Sequence, residues 1–438
     1  MNAVILAVFV MLILSLLRIN VVFSLIVGSI VGGLTGGLGL NKTVEVFTGG
    51  LGNSASVALS YAMLGAFAVA ISKTGLPEAF VQFALKMVGK KGDSKRKALS
   101  KVLIVLIILI MSCFSQNVIP IHIAFIPILI PPLLKVFNEL QLDRRLIATV
   151  ITFGLIMPYM FLPAGFGAIY HDILFTNMKE AGMTIDKSTI PTAMALPALG
   201  MLVGLLTAVF VVYRKPRVYN NMELAQVEEA ETYSKKGILF ALLAVVVSLV
   251  VQLQFDSMIF GAVAGIIVVY LSGSIKWNEA DAMLTSGMRM MAFIGFVMLS
   301  ASGFASVLGE TGHIESLVKD SAALIGNNKS IGALAMLIIG LLVTMGIGSS
   351  FSTIPIITAI FVPLCMELGF SPLATIAIIG TAGALGDAGS PASDSTLGPT
   401  SGLNMDGQHN HIWDTCVPTF LFYNIPLVIF GWIAALVL

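Results

Sequence analysis

An acidic, hydroxyl-rich segment interrupts an apolar stretch near the C-terminal end of the chain, at residues 386–396 with the sequence GDAGSPASDST. A carboxylate in apolar surroundings is costly unless it is paired, hydrated or bound to a cation, so Asp387 and Asp394 mark a functional site. Gly389 and Pro391 disfavour a continuous helix and thereby free carbonyl oxygens. Such oxygens are ligands of hard cations such as Na+. Together with the serine and aspartate oxygens of the segment, they predict a cage of hard oxygens around a small cation.

Two further polar clusters interrupt long apolar stretches, at about 101–137 and 331–368. Each half of these stretches is shorter than the roughly 20 residues that a helix needs to cross a membrane. The pattern therefore predicts two re-entrant helical hairpins, whose tips are buried in protein or face a water-filled cavity. The polar tip residues are Ser115, Gln116 and Asn117 in the first hairpin, and Ser349, Ser350, Ser352 and Thr353 in the second.

The ends of half-helices carry oriented dipoles, with N-terminal ends favouring a carboxylate and freed carbonyl groups favouring a cation. A site with both features suits a zwitterion or an anion together with its coupling ion. We predict that the polar tip residues contribute to it, and that Ser350 joins Asp387 and Asp394 around Na+. An alternative is that the tip residues only cap the hairpin turns, which is compatible with binding.

The composition indicates what positions these residues. Hydrophobic residues make up 57% of the 438 residues and charged residues 11%, with a mean hydropathy of +0.97, whereas a soluble domain is about a quarter charged. This balance is typical of a multi-pass membrane protein, so we expect the bilayer and a small solute or ion as partners. The net charge of +1 provides no basic surface for nucleic acid. Ten stretches have the length of a span: about 3–17, 21–40, 54–72, 146–170, 191–213, 237–253, 257–274, 288–309, 372–395 and 413–437.

Lysine and arginine residues fall on one side of the membrane if the ten spans alternate, and the positive-inside rule makes that side the cytoplasm. Both termini are then outside, and we expect a bacterial inner (plasma) membrane. An alternative for residues 386–396 is a polar loop just outside the membrane, which would require the span at 372–395 to end early.

Weak self-similarity relates the two halves of the chain. KTG at 73–75 corresponds to ETG at 310–312, SCFS at 112–115 to SSFS at 349–352, and Pro163 and Gly165 fall beside Gly389 and Pro391 as helix-breaking positions. The segment after residue 75 is basic and its counterpart is not, so the repeats have opposite orientations, as in many secondary transporters. We predict an all-α polytopic membrane protein with two inverted-topology repeats, re-entrant hairpins and broken helices.

The predicted domain organisation follows from this repeat. Its parts are N-terminal scaffold helices at 1–53, a first repeat at 54–213, a cytoplasmic linker at 214–236, connecting scaffold helices at 237–287 and a second repeat at 288–438.

The C-terminal segment also resembles a known family. Gly386-Asp387, Ser390-Pro391 and residues 393–396 are similar to the GD…SPxSDTT signature of the NhaC-type Na+/H+ antiporter family, within the ion-transporter superfamily. The resemblance covers most of the chain and implies a homodimer whose protomers each hold both hairpins in a transport domain that moves like an elevator against a scaffold domain. By position, the resemblance implies contacts with a cation or substrate from Asp387, Ser390, Ser393, Asp394 and Ser395. Ser395 stands where the signature has threonine. The chain is also similar to a branch of this family associated with amino-acid transport, histidine among the amino acids.

Two functions follow. The first is cation-coupled transport of a small polar solute, such as an amino acid, driven by Na+ or H+ with alternating access. The alternative is Na+/H+ antiport without an organic solute, in which Asp387 or Asp394 exchanges a proton for Na+. We expect neither an enzyme nor any cofactor other than the coupling ion, because the chain offers only a weak metal-binding pattern at His409 and His411. Paired hairpins also favour a carrier over a channel.

Overall fold

The computed structural model describes residues 2–17, 19–76, 79, 94–117, 122–220, 235–255, 257–314, 316–317, 320, 323, 326, 328–347, 349–391 and 393–438. These residues form helices and connecting segments, without strands. The helices are α1 (Ala3–Leu16), α2 (Val21–Thr35), α3 (Gly39–Gly50), α4 (Ala55–Ser72), α5 (Ser94–Asn117), α6 (His122–Glu139), α7 (Arg144–Phe161), α8 (Phe166–Glu180), α9 (Ile190–Thr207), α10 (Lys235–Phe255), α11 (Met258–Leu271), α12 (Ala280–Glu310), α13 (Lys329–Ile347), α14 (Ser350–Glu367), α15 (Pro372–Ala384), α16 (Asp394–Leu403) and α17 (His411–Val437).

Contacts between distant segments define two ends of the molecule. At one end, which we call the basic face, the loop between α6 and α7, residues 213–220 and residues 404–410 meet: Asn138 donates to the carbonyl of Asn220, and Arg144 pairs with Asp406. At the other end, the terminal face, Ser371 donates to the carbonyl of Leu438 at 3.0 Å. The start of α1 meets the segment after α12, where the N–H of Ala3 donates to His313 Nδ1 at 3.0 Å.

The two hairpins open toward opposite faces. Helix α6 ends at the basic face, next to Arg144, and α5 precedes it in the chain. Helices α13 and α14 begin and end at the terminal face, where Lys329 Nζ donates to the carbonyl of Gly369 at 2.5 Å. The all-helical fold and the opposite orientation of the two repeats are therefore as predicted. The segment 118–121 at the first tip, most of the basic segment after residue 75 and residues 221–234 of the predicted linker lie outside the described residues.

A long helix is broken in each repeat. In the first, residues 162–165 separate α7 from α8, and in the second, residues 385–393 separate α15 from α16. The helices after the breaks exchange partners: α8 packs against α14 of the second hairpin, and α16 packs against α6 of the first. Thr152 Oγ1 of α7 donates to the carbonyl of Ser395 in α16 at 2.9 Å. The exchange brings both breaks and the second tip to the centre of the molecule.

The helices form two groups. In the first group, α12 packs against α2, α3 and α4, α11 packs against α4 and α10, and α1 packs against α2. Helices α5–α9 and α13–α17 form the second group. Within it, α9 and α17 pack closely at glycines such as Gly204. The main contacts between the groups run from α12 to α14 and from α1 to α13.

The spans are less regular than the ten predicted. In the described part of the chain, four helices are long and apolar enough to cross a membrane: Arg144–Phe161, Lys187–Val212, Lys235–Gln252 and His411–Val437. The predicted span at 372–395 is not one helix: α15 ends at Ala384, and the backbone is unwound from residue 385 to 393. A separate amphipathic helix, α3, also lies between the predicted spans at 21–40 and 54–72.

Candidate functional site

The break between α15 and α16 has a defined backbone held by a side chain from the last helix. Gly386 and Gly389 have φ values of +89° and +86°, a region that favours glycine. A Cβ on Gly386 would also lie 2.7 Å from the amide nitrogen of Met345. Asn424 spans the turn: its Oδ1 accepts from the N–H of Gly386 at 3.1 Å, and its Nδ2 donates to the carbonyl of Ala388 at 2.6 Å. Glycine and Asn424 together fix the unwound chain.

This backbone places the Asp387 carboxylate, which is 5% exposed, against the tip of the second hairpin. Tyr159 Oη of α7 donates to Asp387 Oδ2 at 2.6 Å, and Ser350 Oγ donates to the same oxygen. Tyr159 Oη and Ser350 Oγ are 2.7 Å apart. The Ser350 N–H and Ser393 Oγ approach Oδ1 at 3.3 and 3.4 Å. Oxygens from α7, the hairpin tip and the break therefore converge on one buried carboxylate.

The starts of several helices surround this carboxylate. Ser350 is the first residue of α14, and Ser393 is the N-cap of α16, accepting from the N–H of Ser395 at 3.2 Å. Helix α8 begins at Phe166, whose ring lies 4.7 Å from that of Phe351 in the first turn of α14. Helix N-termini carry a partial positive charge that stabilises anions. The centre of the molecule thus favours carboxylate groups, from the protein or from a ligand.

Aromatic rings form one wall of the site. Tyr159 lies 5.0 Å from Tyr170 and 5.2 Å from Phe351, measured between ring centroids. The hydroxyl of Tyr170 donates to the carbonyl of Gly380 at 2.5 Å instead of to Asp387. The sequence did not single out Tyr159, Tyr170 or Asn424. The two tyrosines could have been found from the sequence, because Tyr159 precedes and Tyr170 follows the predicted helix break at Pro163 and Gly165.

The predicted site residues fall into four groups. Ser350 and Ser393 contact Asp387, as described above. Ser390 Oγ donates to the carbonyl of Met345 at 3.0 Å, and the buried Thr353 donates to the carbonyl of Ser349, the N-cap of α14. Ser395 takes part through its backbone. The side chains of Ser115, Gln116, Asn117 and Ser352 lie outside the described residues.

Asp394 is placed differently from its predicted partner. Its side chain is exposed at the start of α16, and within the described part of the chain it makes no hydrogen bond to Asp387 or Ser350. The helix-breaking Pro163 and Gly165 lie between α7 and α8, and Gly389 and Pro391 between α15 and α16.

The histidines near the end of the chain belong to a hydrogen-bonded chain of side chains. Thr415 Oγ1 lies 2.7 Å from His409 Nε2 and 2.9 Å from Thr400 Oγ1. Thr400 Oγ1 in turn lies 2.8 Å from His411 Nδ1. His411 Nε2 ends the chain, 3.0 Å from the carbonyl oxygen of Pro391. No group of three or more His, Cys, Asp or Glu side chains suited to a metal ion occurs among the described residues.

Broken helices and a hairpin tip around a buried polar centre are features of secondary transporters. The chain matches models of the Na+/H+ antiporter family over residues 150–432 and of a second Na+-H+ antiporter family over residues 2–88. It therefore belongs to the Na+/H+ antiporter family, and the resemblance of its C-terminal signature is confirmed.

Several relatives are similar over their whole length. The Bacillus subtilis protein YuiF, whose name assigns it provisionally to amino acid transport, is 65% identical over 444 residues, covering 100% of both chains. An uncharacterised membrane protein of Vibrio parahaemolyticus is 57% identical, again over 100% of both chains. These relatives support a multi-pass membrane protein.

Two solved transporter structures share the fold. The Alcanivorax borkumensis YdaH transporter superposes with a TM-score of 0.62 at 16% identity, covering 91% of this chain and 89% of the other. MtrF of Neisseria gonorrhoeae, described as illuminating a class of antimetabolite efflux pumps, has a TM-score of 0.58 at 16% identity and coverages of 95% and 94%.

Proposed function

We propose that the protein is a secondary active transporter of the bacterial inner membrane that moves a small solute bearing a carboxylate, such as an amino acid, coupled to Na+ or H+. The observation that carries the proposal is the position of Asp387, a buried carboxylate on which oxygens from three elements converge at the starts of α14 and α16. Hard oxygens suit the cation, and helix N-termini suit the carboxylate of the solute. The provisional amino-acid assignment of YuiF points to the same solute class.

Coupling is then a difference in affinity between states of the site. Na+ bound beside Asp387 and Ser350 neutralises the carboxylate and fixes the start of α14, so a solute carboxylate binds there with less repulsion. Each ligand thereby raises the affinity for the other, as reciprocal coupling requires. No further cofactor enters this scheme.

A cavity of about 470 Å³ offers an access route from the terminal face. It lies between α12 of the first helix group and α8 and α14 of the second, lined among others by Asn177, Glu180, Ser306 and Pro355. Pro355 is five residues from Ser350, so its position on α14 lies roughly 7.5 Å along the helix from the carboxylate site, at 1.5 Å per residue. We place the outer aqueous opening here, and we assign α1–α4 and α10–α12 to the scaffold of an elevator-like homodimer.

Purified protein in liposomes tests the function. A Na+ gradient should drive accumulation of one or more labelled amino acids or dicarboxylates while a pH dye in the lumen reports little change. Parallel liposomes with a proton gradient and no Na+ identify H+ as the driver if uptake occurs there. If no tested solute is taken up under either gradient, the proposal is wrong.

Na+/H+ antiport without an organic solute is the second candidate, and the family to which the chain belongs favours it. Here Asp387 alternates between a proton and Na+, with Tyr159 and Ser350 donating to the ionised form. The same liposomes distinguish this function, because a Na+ gradient would then acidify or alkalinise the lumen without solute accumulation.

We expect Tyr159→Phe to weaken the apparent affinity for Na+ roughly 10- to 100-fold. The substitution keeps the ring but removes the hydroxyl that holds Asp387 Oδ2, and a hydrogen bond to a charged group contributes about 1.5–3 kcal/mol. The measurement is the Na+ concentration that gives half-maximal uptake at fixed pH.

Tyr170→Phe is the matched control, because it removes an equally buried hydroxyl that bonds a backbone carbonyl. Equal effects of the two substitutions on cation affinity would contradict a role of Tyr159 at the carboxylate.

A further inference from the structure

A groove opens on the outside of the second helix group, between α5, α7 and α9, and extends to the basic face. Its volume is about 390 Å³, within the roughly 300–1,000 Å³ of typical ligand sites. The floor is made of buried apolar side chains such as Leu146 and Val150, and the walls expose Val102, Leu106 and Phe210 by 45–66%. These walls face outward from helices of a membrane protein, so the groove opens toward the hydrocarbon of the bilayer.

The backbone of α9 changes form beside this groove. Residues Ala208–Val212 form a π-helix that continues α9. A π-helix inserts an extra residue into a helical turn and occurs often at functional sites. Here it contributes Val209 and Phe210 to the groove, and Tyr213 follows at the basic face. The irregular turn therefore shapes the wall where the apolar groove meets the polar end of the molecule.

Three cationic side chains lie at the end of the groove. Lys101 comes from α5, and Arg214 and Lys215 follow the π-helix. Across the described ranges, none of the three forms an ion pair. Asp143, the acidic residue among those that line the groove, pairs with Arg145 at 2.6 Å and lies 3.6 Å from Arg217. Within the described part of the chain, no carboxylate therefore neutralises the three cations, and their charge can attract a ligand.

We propose that this groove binds an anionic phospholipid, with the phosphate between Lys101, Arg214 and Lys215 and one acyl chain along Leu106 and Val150. The apolar groove alone would accept any lipid tail. The three cations at its polar end select a negatively charged headgroup, as basic pockets between membrane helices do. Because α5 forms the first arm of the first hairpin and α7 carries Tyr159, the lipid would lie against helices of the transport site.

The test is native mass spectrometry of the delipidated full-length protein titrated with phosphatidylglycerol or with phosphatidylcholine of the same acyl chains. We expect at least one phosphatidylglycerol to bind with roughly tenfold or greater preference. The triple substitution Lys101→Gln, Arg214→Gln and Lys215→Gln should abolish that preference. The matched control removes the same charge from exposed residues elsewhere, through Lys73→Gln, Lys235→Gln and Lys236→Gln, and should retain it.

A second variant tests the apolar part without changing charge. Val105→Trp fills the groove and should weaken phosphatidylglycerol binding severalfold while gel filtration shows an unchanged particle. Equal binding of the two lipids by the wild type, or equal loss in both triple variants, would overturn the proposal. Displacement of the lipid by millimolar glycerol phosphate would also overturn it, because the site would then hold a free phosphate compound.

Discussion

We expect Asp387→Asn to reduce cation-driven uptake to the level of empty liposomes, a loss of roughly 100-fold or more. Asparagine has nearly the same shape and keeps an oxygen that can accept from Tyr159 and Ser350, so the break between α15 and α16 should fold normally. It lacks the negative charge that attracts the cation, and its NH2 group would face the N–H of Ser350 or the hydroxyl of Ser393, both of which are donors toward Oδ1. Two opposite charges about 4 Å apart attract each other by about 4 kcal/mol at the effective dielectric constant of a protein site, so losing the negative charge accounts for the expected loss.

The measurement is the initial rate of uptake at several Na+ concentrations and pH values, with the amount of inserted protein determined in parallel. Asp281→Asn is the control for removal of one negative charge, because Asp281 is exposed in the first turn of α12. Asp394→Asn gives a further comparison: the sequence places Asp394 at the cation, but its exposed position leads us to expect that cation stimulation persists in this variant. Full Na+-dependent uptake by Asp387→Asn would remove Asp387 from the ion site.

The second large effect concerns stability. Arg144 is completely buried, and its guanidinium makes paired hydrogen bonds to Asp406, at 2.6 Å from Nη1 and 2.5 Å from Nη2. The guanidinium also donates to the carbonyl of Leu403 and to Asn138. Replacing Asp406 by alanine leaves a buried cation without its partner, which costs about 3–5 kcal/mol. We expect a correspondingly large drop in the free energy of unfolding, measured by denaturant titration in detergent.

Two comparisons isolate the ion pair. Asp172→Ala breaks the partly exposed pair with Lys187 and should cost about 1 kcal/mol or less. The double variant Arg144→Met and Asp406→Leu removes both charges and should recover much of the lost stability. A double variant as unstable as the sum of its single variants would show that packing, not charge pairing, makes Arg144 important.

The same pair has a pH dependence. Burial alone would raise the pKa of Asp406, but the hydrogen bonds and positive charge of Arg144 outweigh it and hold the pKa below the ordinary value of 3.8. The pair therefore contributes its full stability above about pH 4, and this contribution is lost as the pH falls through the lowered pKa. The Asp406→Ala variant should lack this component of acid destabilisation.

Local patterns in the sequence predicted the parts of the site that lie close together in the chain. Gly389 and Pro391 indicated a break, and the serines of the second tip indicated a turn, because both are local properties of the backbone. Tyr159 could not be assigned in this way, since it meets Asp387 from 228 residues away. Asn424 lies within an apolar span and was indistinguishable there from a residue that packs against a neighbouring helix.

The same limit applies to charges and spans. Arg144 and Arg145 are adjacent residues of the same type, so the sequence does not distinguish them. In the structure, Arg144 is completely buried, whereas the side chain of Arg145 is 36% exposed. The two side chains point in different directions from the start of α7. Which direction is buried becomes clear only when the neighbouring helices are known. Hydropathy predicted most of the apolar stretches, but it could not show where an unwound segment such as 385–393 divides one stretch into two helices.

The exchange of helices between the repeats has a consequence for biosynthesis. Because α16 covers α6 and α7, the first half of the chain leaves the ribosome with a surface whose partner has not yet been made. Asp406, the partner of Arg144, is synthesised 262 residues later. The insertion machinery or the neighbouring headgroups must accommodate this cation in the meantime. Membrane insertion of the first half and its final packing are therefore separate events, and a chain that stops before α16 should be inserted but recognised as incomplete by quality-control proteases.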